Sequence, residues 1–178
     1  MSNKVFIATS LDGFIAGKNN EIDWLESIPN PDNNDMGYSA HMDNIDALVM
    51  GRNTMELVAN MDIDWPYTKP VFVISNTLTE LPEKLKDKAF LIKGEASTIN
   101  NQLKDKGYNN LYIDGGRTIQ SFLQADLIDE MIITTIPILL GGGIRLFGDL
   151  EKSLEFRCAE SIKFNNGICQ NRYVRFKG

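Results

Sequence analysis

Cysteine, histidine and positive charge are all scarce in this sequence. Two cysteines and a single histidine stand among 178 residues. His41, Cys158 and Cys169 have none of the spacing a zinc centre needs, so no metal site is expected. A Ser-His-Asp or Cys-His mechanism would have to run through His41, and no nucleophile-elbow motif lies near it. The expectation is a partly exposed helix residue. So little cysteine suits a reducing, cytoplasmic setting. Eighteen Lys and Arg against 24 Asp and Glu give a net charge of −6 and a pI of about 4.8. That argues against nucleic acid as a partner, because phosphate binding needs a basic face. Long apolar runs are also missing. The longest uncharged stretch, 131–144, is broken by Pro137 and Gly141-Gly142-Gly143, whereas a spanning helix needs about 20 apolar residues. It reads as a buried strand running into a loop. The apolar run from Val5 is cut short at Asp12, so no secretory leader is expected, and no membrane partner.

What is present is ordinary for a globular chain: 43% hydrophobic and 24% charged residues, at a length that suits one domain over 1–178. Short apolar runs alternate with helical patterns, which points to an α/β fold with a largely parallel sheet. The strands are expected at Val5–Ala8, Ala47–Met50, Val71–Ile74, Ala89–Ile92 and Leu111–Ile113. Runs apolar on both faces suit strands covered by helices on both sides. Asn53-Thr54-Met55-Glu56 has a capping-box-like start. Ile99 and Leu103 share a helix face stopped at Gly107, and Ile119, Phe122 and Leu123 share another, on a helix beginning near Gly115-Gly116. Residues 30–35 are polar and turn-rich, a surface loop. From Leu154 to Phe164 the apolar residues alternate, predicting a strand with one wet face. Asn165-Asn166-Gly167 then turns into a partner strand. If those three residues are the loop, Phe156 faces Phe176, Glu160 faces Arg172 and Cys158 faces Val174. Cys169 falls on the other side of that sheet, so a Cys158–Cys169 disulfide is not expected.

Four segments could carry chemistry. Asp12-Gly13 follows the first strand as a turn. Met50-Gly51-Arg52-Asn53-Thr54 takes a strand through glycine and arginine into a helix start, where free amides and a guanidinium fork suit a phosphate. Asp114-Gly115-Gly116-Arg117-Thr118 repeats the arrangement, with two glycines that let the backbone approach a ligand closely. Pro137 to Gly143 is a strand-to-loop exit. Neither G-x-G-x-x-G nor a P-loop occurs. Two strand–glycine–helix units in so small a domain suggest one ligand with several phosphates, held beyond the carboxyl ends of the strands. Net acidity is no obstacle, since Arg52 and backbone amides suffice.

With these residues in view, Met50-Gly51-Arg52-Asn53-Thr54, the turn after strand one and Ser75-Asn76-Thr77-Leu78 resemble the dihydrofolate reductase superfamily. The run from Gly115-Gly116 through Phe122-Leu123 to Leu127-Ile128-Asp129-Glu130, with Pro137, Gly141-Gly142-Gly143 and Leu146-Phe147, is similar to its riboflavin-pathway reductase branch. The resemblance runs nearly end to end. It implies a three-layer α/β/α fold with a mixed, mainly parallel sheet and a C-terminal antiparallel hairpin. It further implies NADPH, hydride transfer to a small-molecule substrate, and a homodimer. Carried over residue by residue, Ala8, Ile15 and Ala16 would line the nicotinamide pocket. Gly51, Arg52 and Thr54 would hold one end of the pyrophosphate, and Gly115, Gly116, Arg117 and Thr118 the other. Ser75 and Thr77 would sit at the adenosine ribose and its 2′-phosphate. Trp24 resembles the tryptophan of the active-site loop. Asp12 would lie nearest the reacting carbon. Apart from the resemblance, Tyr38, on the helix expected before the second strand, is a candidate to add a hydroxyl.

Two departures qualify that pattern. Many relatives place an arginine after the serine that follows strand three, against the 2′-phosphate. Here it is Asn76, so NADH becomes an alternative cofactor unless Lys93 substitutes. Dihydrofolate reductases carry a carboxylate about five residues past the tryptophan for pterin protonation. Here that position is Pro29. The expected activity is therefore a reductase similar to 5-amino-6-(5-phosphoribosylamino)uracil reductase, acting on a ribosyl, carbonyl or pteridine-like substrate. Dihydrofolate reductase and a non-catalytic nucleotide-binding domain are the rivals.

Overall fold

The computed structural model describes residues 2–177. Ten strands and four α-helices follow in order: β1 Ser2–Ser10, β2 Phe14–Ala16, α1 Tyr38–Asp43, β3 Ala47–Gly51, α2 Arg52–Ala59, β4 Val71–Ile74, β5 Ala89–Ile92, α3 Ala96–Asp105, β6 Asn110–Asp114, α4 Gly116–Gln124, β7 Glu130–Ile136, β8 Ile144–Arg145, β9 Phe156–Lys163 and β10 Cys169–Arg175. Eight strands form one sheet in the order β5-β4-β3-β6-β1-β7-β10-β9, and β2 and β8 form a separate two-stranded antiparallel ribbon. From β5 to β7 neighbouring strands run parallel, while β10 lies antiparallel to both β7 and β9. Among the described residues no helix is long and apolar enough to cross a membrane.

The apolar runs of β3, β4 and β6 are buried on both faces, as their lack of alternation requires, whereas Phe90 of the edge strand β5, expected to be covered, is 45% exposed. Ala47 and Val49 point to a core shared with Ile99, Leu103, Ile119 and Phe122 of α3 and α4. Leu48 and Met50, one residue out of phase, join a core with Met55 and Ala59 of α2 and Tyr38 and Met42 of α1. Each fully buried Leu, Ile or Phe contributes about 1.5–3 kcal/mol, so the two-sided packing outweighs any local propensity of these short strands.

Four further local expectations are corrected. Helix α2 begins at Arg52, with Gly51 as an N-cap that offers no side chain. Asn53 is therefore inside the helix, and Glu56 accepts from Arg52 Nε at 2.6 Å instead of completing a capping box. The hairpin keeps the expected register from Cys169–Lys163 to Arg172–Glu160 and then slips by one residue at a bulge. Phe156 consequently faces Arg175, whose guanidinium lies 5.7 Å from the ring centroid, and Cys158 faces Tyr173. Both cysteines are free and exposed. Strand β9 is exposed along nearly its whole length, on both faces. Alternation records side-chain chemistry, but a dry face also needs a covering layer, and β9 is the sheet edge.

The fourth correction concerns His41. It lies on α1 as expected, but buried, with ring contacts to Phe6 at 5.1 Å and Tyr112 at 5.0 Å and no partner for Nε2. Burial, with the nearby Lys4 charge, pushes its pKa down to about 4. The folded value lies below the unfolded 6.5, so the unfolded chain binds the proton first. Stability from this site is complete above pH 6.5 and is lost as pH falls towards 4. A shift of that size corresponds to about 2–3 kcal/mol. His41→Phe should remove this acid-side loss, read as the difference in chemical-denaturation stability between pH 7 and pH 5.

Candidate active site

The two glycine turns lie side by side. Met50 and Asp114 are register partners on β3 and β6, so Gly51 and Gly115 leave adjacent strand ends together. Each turn is fitted against the other's helix. A Cβ on Gly115, which has φ +87°, would collide with the Thr54 hydroxyl on α2. A Cβ on Gly51 would sit 3.3 Å from Thr118 Oγ1 on α4. Neither helix has a side-chain cap. The first-turn amides of α2 and α4, which no intrahelical carbonyl can reach, thus open beside one another at the carboxyl edge of the sheet. The dipoles of both helices add positive potential there. Two uncapped amide clusters and a close backbone approach are the fittings a diphosphate needs. Arg52 and Arg117 are exposed at these starts, and Arg52 keeps its terminal nitrogens clear of the Nε–Glu56 pair.

The remaining predicted nucleotide residues divide between two neighbourhoods. Ser75 follows β4 and is buried. Its Oγ accepts the Thr77 and Leu78 amides at 3.3 and 3.1 Å, which closes its own turn. Its amide donates to the Ile92 carbonyl at 3.3 Å, which brings exposed Lys93 next to the turn that carries Asn76. A surface cavity lined by Met55, Glu56, Leu78, Glu80, Leu81, Pro82 and Glu83 adjoins that turn. On the other side, the β2–β8 ribbon covers the amino end of α4. A Cβ on Gly116 would stand 3.0 Å from Ile15 Cδ1, and Gly143 packs so closely on the Ala16 carbonyl that no side chain fits. Ala8 packs near Trp24 and Ile136. Trp24 is only 7% exposed, and its indole N–H has no partner, an orphan donor among the residues expected around the nicotinamide.

Asp12 is fully engaged. Its carboxylate accepts from Ser10 Oγ at 2.6 Å, the Gly141 amide at 2.8 Å and the Leu140 amide at 3.1 Å. The Ser10 hydroxyl and those amides hold its pKa down to about 2, so it carries no proton at neutral pH. Geometrically it ties the turn after β1 to the loop after β7.

A different carboxyl, which no motif in its local sequence marks as a proton carrier, has the opposite character. Asp114 ends β6 on the same sheet face as Tyr112 and, through the register, as Phe6 and Ala8. Burial pushes its pKa up to about 6, opposed only by the Gly115 amide, which donates to Oδ1 at 2.8 Å. Three phenols feel its charge. Tyr38, Tyr67 and Tyr112 are all raised above the ordinary tyrosine value, chiefly by burial and then by Asp114. Tyr112 donates to the Phe6 carbonyl at 2.8 Å, while Tyr38 and Tyr67 have no such bond among the described residues. The signal for Asp114 was its two-residue spacing from Tyr112 on a buried strand. Nothing local marked Tyr67, which a loop delivers from the segment after α2.

Comparison with known proteins follows the same lines. The family model for the RibD C-terminal domain matches residues 4–170. A solved protein of Shewanella sp. PV-4, provisionally named as a riboflavin biosynthesis protein, is 56% identical, with a TM-score of 0.96 over 99% of this chain and 100% of that one. The uncharacterized Bacillus subtilis protein YwjB is 34% identical over 175 residues, 96% of both chains. Two more distant structures share the fold. A diaminohydroxyphosphoribosylaminopyrimidine deaminase/5-amino-6-(5-phosphoribosylamino)uracil reductase of Thermotoga maritima has a TM-score of 0.73 at 14% identity, over 98% of this chain and 56% of that one. A dihydrofolate reductase of Enterococcus faecalis, complexed with NADP(H), has a TM-score of 0.68 at 17% identity, over 99% and 97%.

Proposed function

Because the chain belongs to the RibD C-terminal domain family, we propose that it is a reductase that draws hydride from NADPH and adds it to a small ribosyl, carbonyl or pteridine-like substrate. The observation that carries this reading is the interlocked pair of uncapped glycine turns at Gly51 and Gly115. Gly51, Arg52 and Thr54 hold one side of the diphosphate, and Gly115, Gly116, Arg117 and Thr118 the other. Ser75 and Thr77 meet the adenosine ribose, and Lys93 takes the place of the missing arginine at a 2′-phosphate. Ala8, Ile15 and Ala16 wall the nicotinamide, and Trp24 offers its free indole N–H to the ring pocket. When bound, the nicotinamide supplies a hydride.

Reduction of a C=N or C=O bond also consumes one proton, and the chain's own residues provide it. Asp114, with its pKa near 6, is protonated in an appreciable fraction of molecules at neutral pH and is suited to general-acid work. Tyr38 stands beside it as a hydroxyl donor. Asp12, charged and triply bonded, is a positioning residue that holds the loop after β7 against the turn after β1. A dihydrofolate reductase assignment lacks support at Pro29, which is exposed, and the nearby Asp35 spends its oxygens on the Gly37 and Ser39 amides. The same reading includes a homodimer, for which Leu11 and Leu139, both well exposed beside the Asp12 clamp, provide apolar surface.

The test is thermal melting with NADPH and with NADH. Cofactor at 100 times its Kd should stabilise the fold by about 2.7 kcal/mol, and the larger shift should come from NADPH. Arg52→Ala should weaken binding about tenfold, the loss of one charge-assisted contact at a half-exposed site. No shift with either nucleotide at millimolar concentration would overturn the reading.

A further inference from the structure

One buried amide on the sheet face of Ala8 and Asp114 has an unused oxygen. Ala8, Thr134 and Gln170 are successive register partners on β1, β7 and β10, so their side chains form one row across that face. Neighbouring strands lie about 4.8 Å apart, which sets Gln170 about 10 Å from Ala8, room for one small heterocycle between them. Trp24 and Ile136 pack beside Ala8 at the same end of the sheet. Gln170 is 7% exposed, and its side-chain nitrogen is fully used. Nε2 donates to Thr134 Oγ1 at 2.9 Å and to the Met36 carbonyl at 3.0 Å. A backbone carbonyl only accepts, so the amide cannot be turned round, and Oε1 has to face away from Met36. No described residue donates to that oxygen, yet it is not sealed. Among the described residues the enclosed side-chain atoms without a partner are Asn3 Oδ1, Trp24 Nε1, His41 Nε2 and Trp65 Nε1. A buried glutamine thus keeps a single fixed acceptor open, where an amide oxygen shut away without a donor would be unfavourable.

Resting on the reductase reading, we propose that Gln170 selects the ring of the substrate. Its Oε1 accepts the N–H of a cyclic lactam or imide, the –NH–C(=O)– edge that a uracil and a 4-oxopteridine share. Thr134 and Met36 are positioning residues. They hold the amide in place before a ligand arrives, so little side-chain freedom is lost on binding. The ring lies over Thr134, between Gln170 and the nicotinamide wall at Ala8, on the face that also carries Asp114. A ring nitrogen that carries a methyl group in place of hydrogen would leave Oε1 unpaired. A site built to accept an N–H discriminates strongly against an analogue that lacks it.

The experiment measures calorimetric Kd values in the presence of saturating NADP+, which has no hydride to give. The probes are 5-amino-6-(5-phosphoribosylamino)uracil and its N3-methyl derivative, and a 4-oxopteridine and its N3-methyl derivative. Wild type should bind the N3–H form of one ring at least tenfold more tightly than its methylated partner, and that ring is the one the site takes. Gln170→Leu and Gln170→Met keep the volume and remove the acceptor. Each should weaken the N3–H probe about tenfold and leave the N3-methyl probe within about twofold. A glutamine that only braces the strands would weaken both probes alike and preserve their ratio, which overturns the proposal. Equal affinities within both wild-type pairs also overturn it, with no variant needed, and so does failure of all four probes to bind at millimolar concentration. An NADPH melting shift measured alongside keeps the two readings apart. If it persists while the N3–H preference fails, the reductase assignment stands and only the role of Gln170 falls. If it is absent, the assignment falls, and this proposal with it.

Discussion

Gly115→Ala should cost the protein about 2–4 kcal/mol of stability and at least tenfold in NADPH affinity. Two separate penalties combine. An L-residue held at φ +87° carries roughly 1–2 kcal/mol of backbone strain. The new methyl must also displace the Thr54 hydroxyl from the first turn of α2, which disturbs the neighbouring amide cluster that the ligand needs. For a chain of this size the loss corresponds to a fall on the order of 10 °C in Tm. Adding Thr54→Ala should relieve the collision but not the strain, so the double variant should recover part of the stability. Additive losses in the two variants would mean that the turns do not touch. Gly51→Ala, with Thr118 Oγ1 at 3.3 Å and an ordinary negative φ, should be milder in stability yet still weaken the nucleotide.

Asp114→Asn should do the reverse, stabilising the fold at pH 8 while lowering turnover at least a hundredfold. The folded pKa of Asp114, about 6, lies above the unfolded 3.8. The native state therefore holds the proton more tightly, and the stability it brings is complete below pH 3.8 and lost as pH rises through 6. Above that, wild type maintains a half-buried charge with no cationic partner, and asparagine removes it. The gain at pH 8 should be about 1–3 kcal/mol, less than the raw shift implies because water reaches part of the group. It should vanish near pH 4. Wild-type turnover should decline as pH climbs past 6, and the variant should lose that limb along with most of its activity, since general acids contribute about 10²–10⁴-fold. His41 acts in the opposite sense between pH 4 and 6.5, so the wild-type stability profile there is flatter than that of either single variant. Denaturant titrations of Asp114→Asn and His41→Phe across pH 4–8 separate the two contributions. An unchanged pH–stability profile in Asp114→Asn would contradict the assignment of the buried charge.

Most of the fold was legible because its strands are written as apolar runs with no polar interruption. Ala47 to Met50 and Val71 to Ile74 can only be satisfied by cover on both sides, and the glycines at 51 and 115 mark where strands hand over to helices. The hairpin register was readable up to Arg172–Glu160 because one turn fixes it. It failed beyond that point because no residue type signals a bulge whose extra residue is an ordinary alanine in an exposed strand. The burial of His41 was hidden for a similar reason. A six-residue helix has too little periodicity to show which side faces Phe6 and Tyr112. In the site, the sequence offered Asp12 because Asp-Gly turns are conspicuous, yet its carboxylate is consumed by Ser10, Leu140 and Gly141. Acidity depends on what surrounds a carboxyl, and only the assembled sheet sets Asp114 among three tyrosines from α1, β6 and a loop after α2.

The central claim, that two adjacent glycine turns grip one diphosphate, is tested most directly by an amide NMR titration with NADPH. The account predicts saturable shifts in Gly51 to Thr54 and in Gly115 to Thr118 together, with one shared Kd in the micromolar range. Shifts confined to one turn, two different dissociation constants, or an unperturbed spectrum at millimolar NADPH would contradict it.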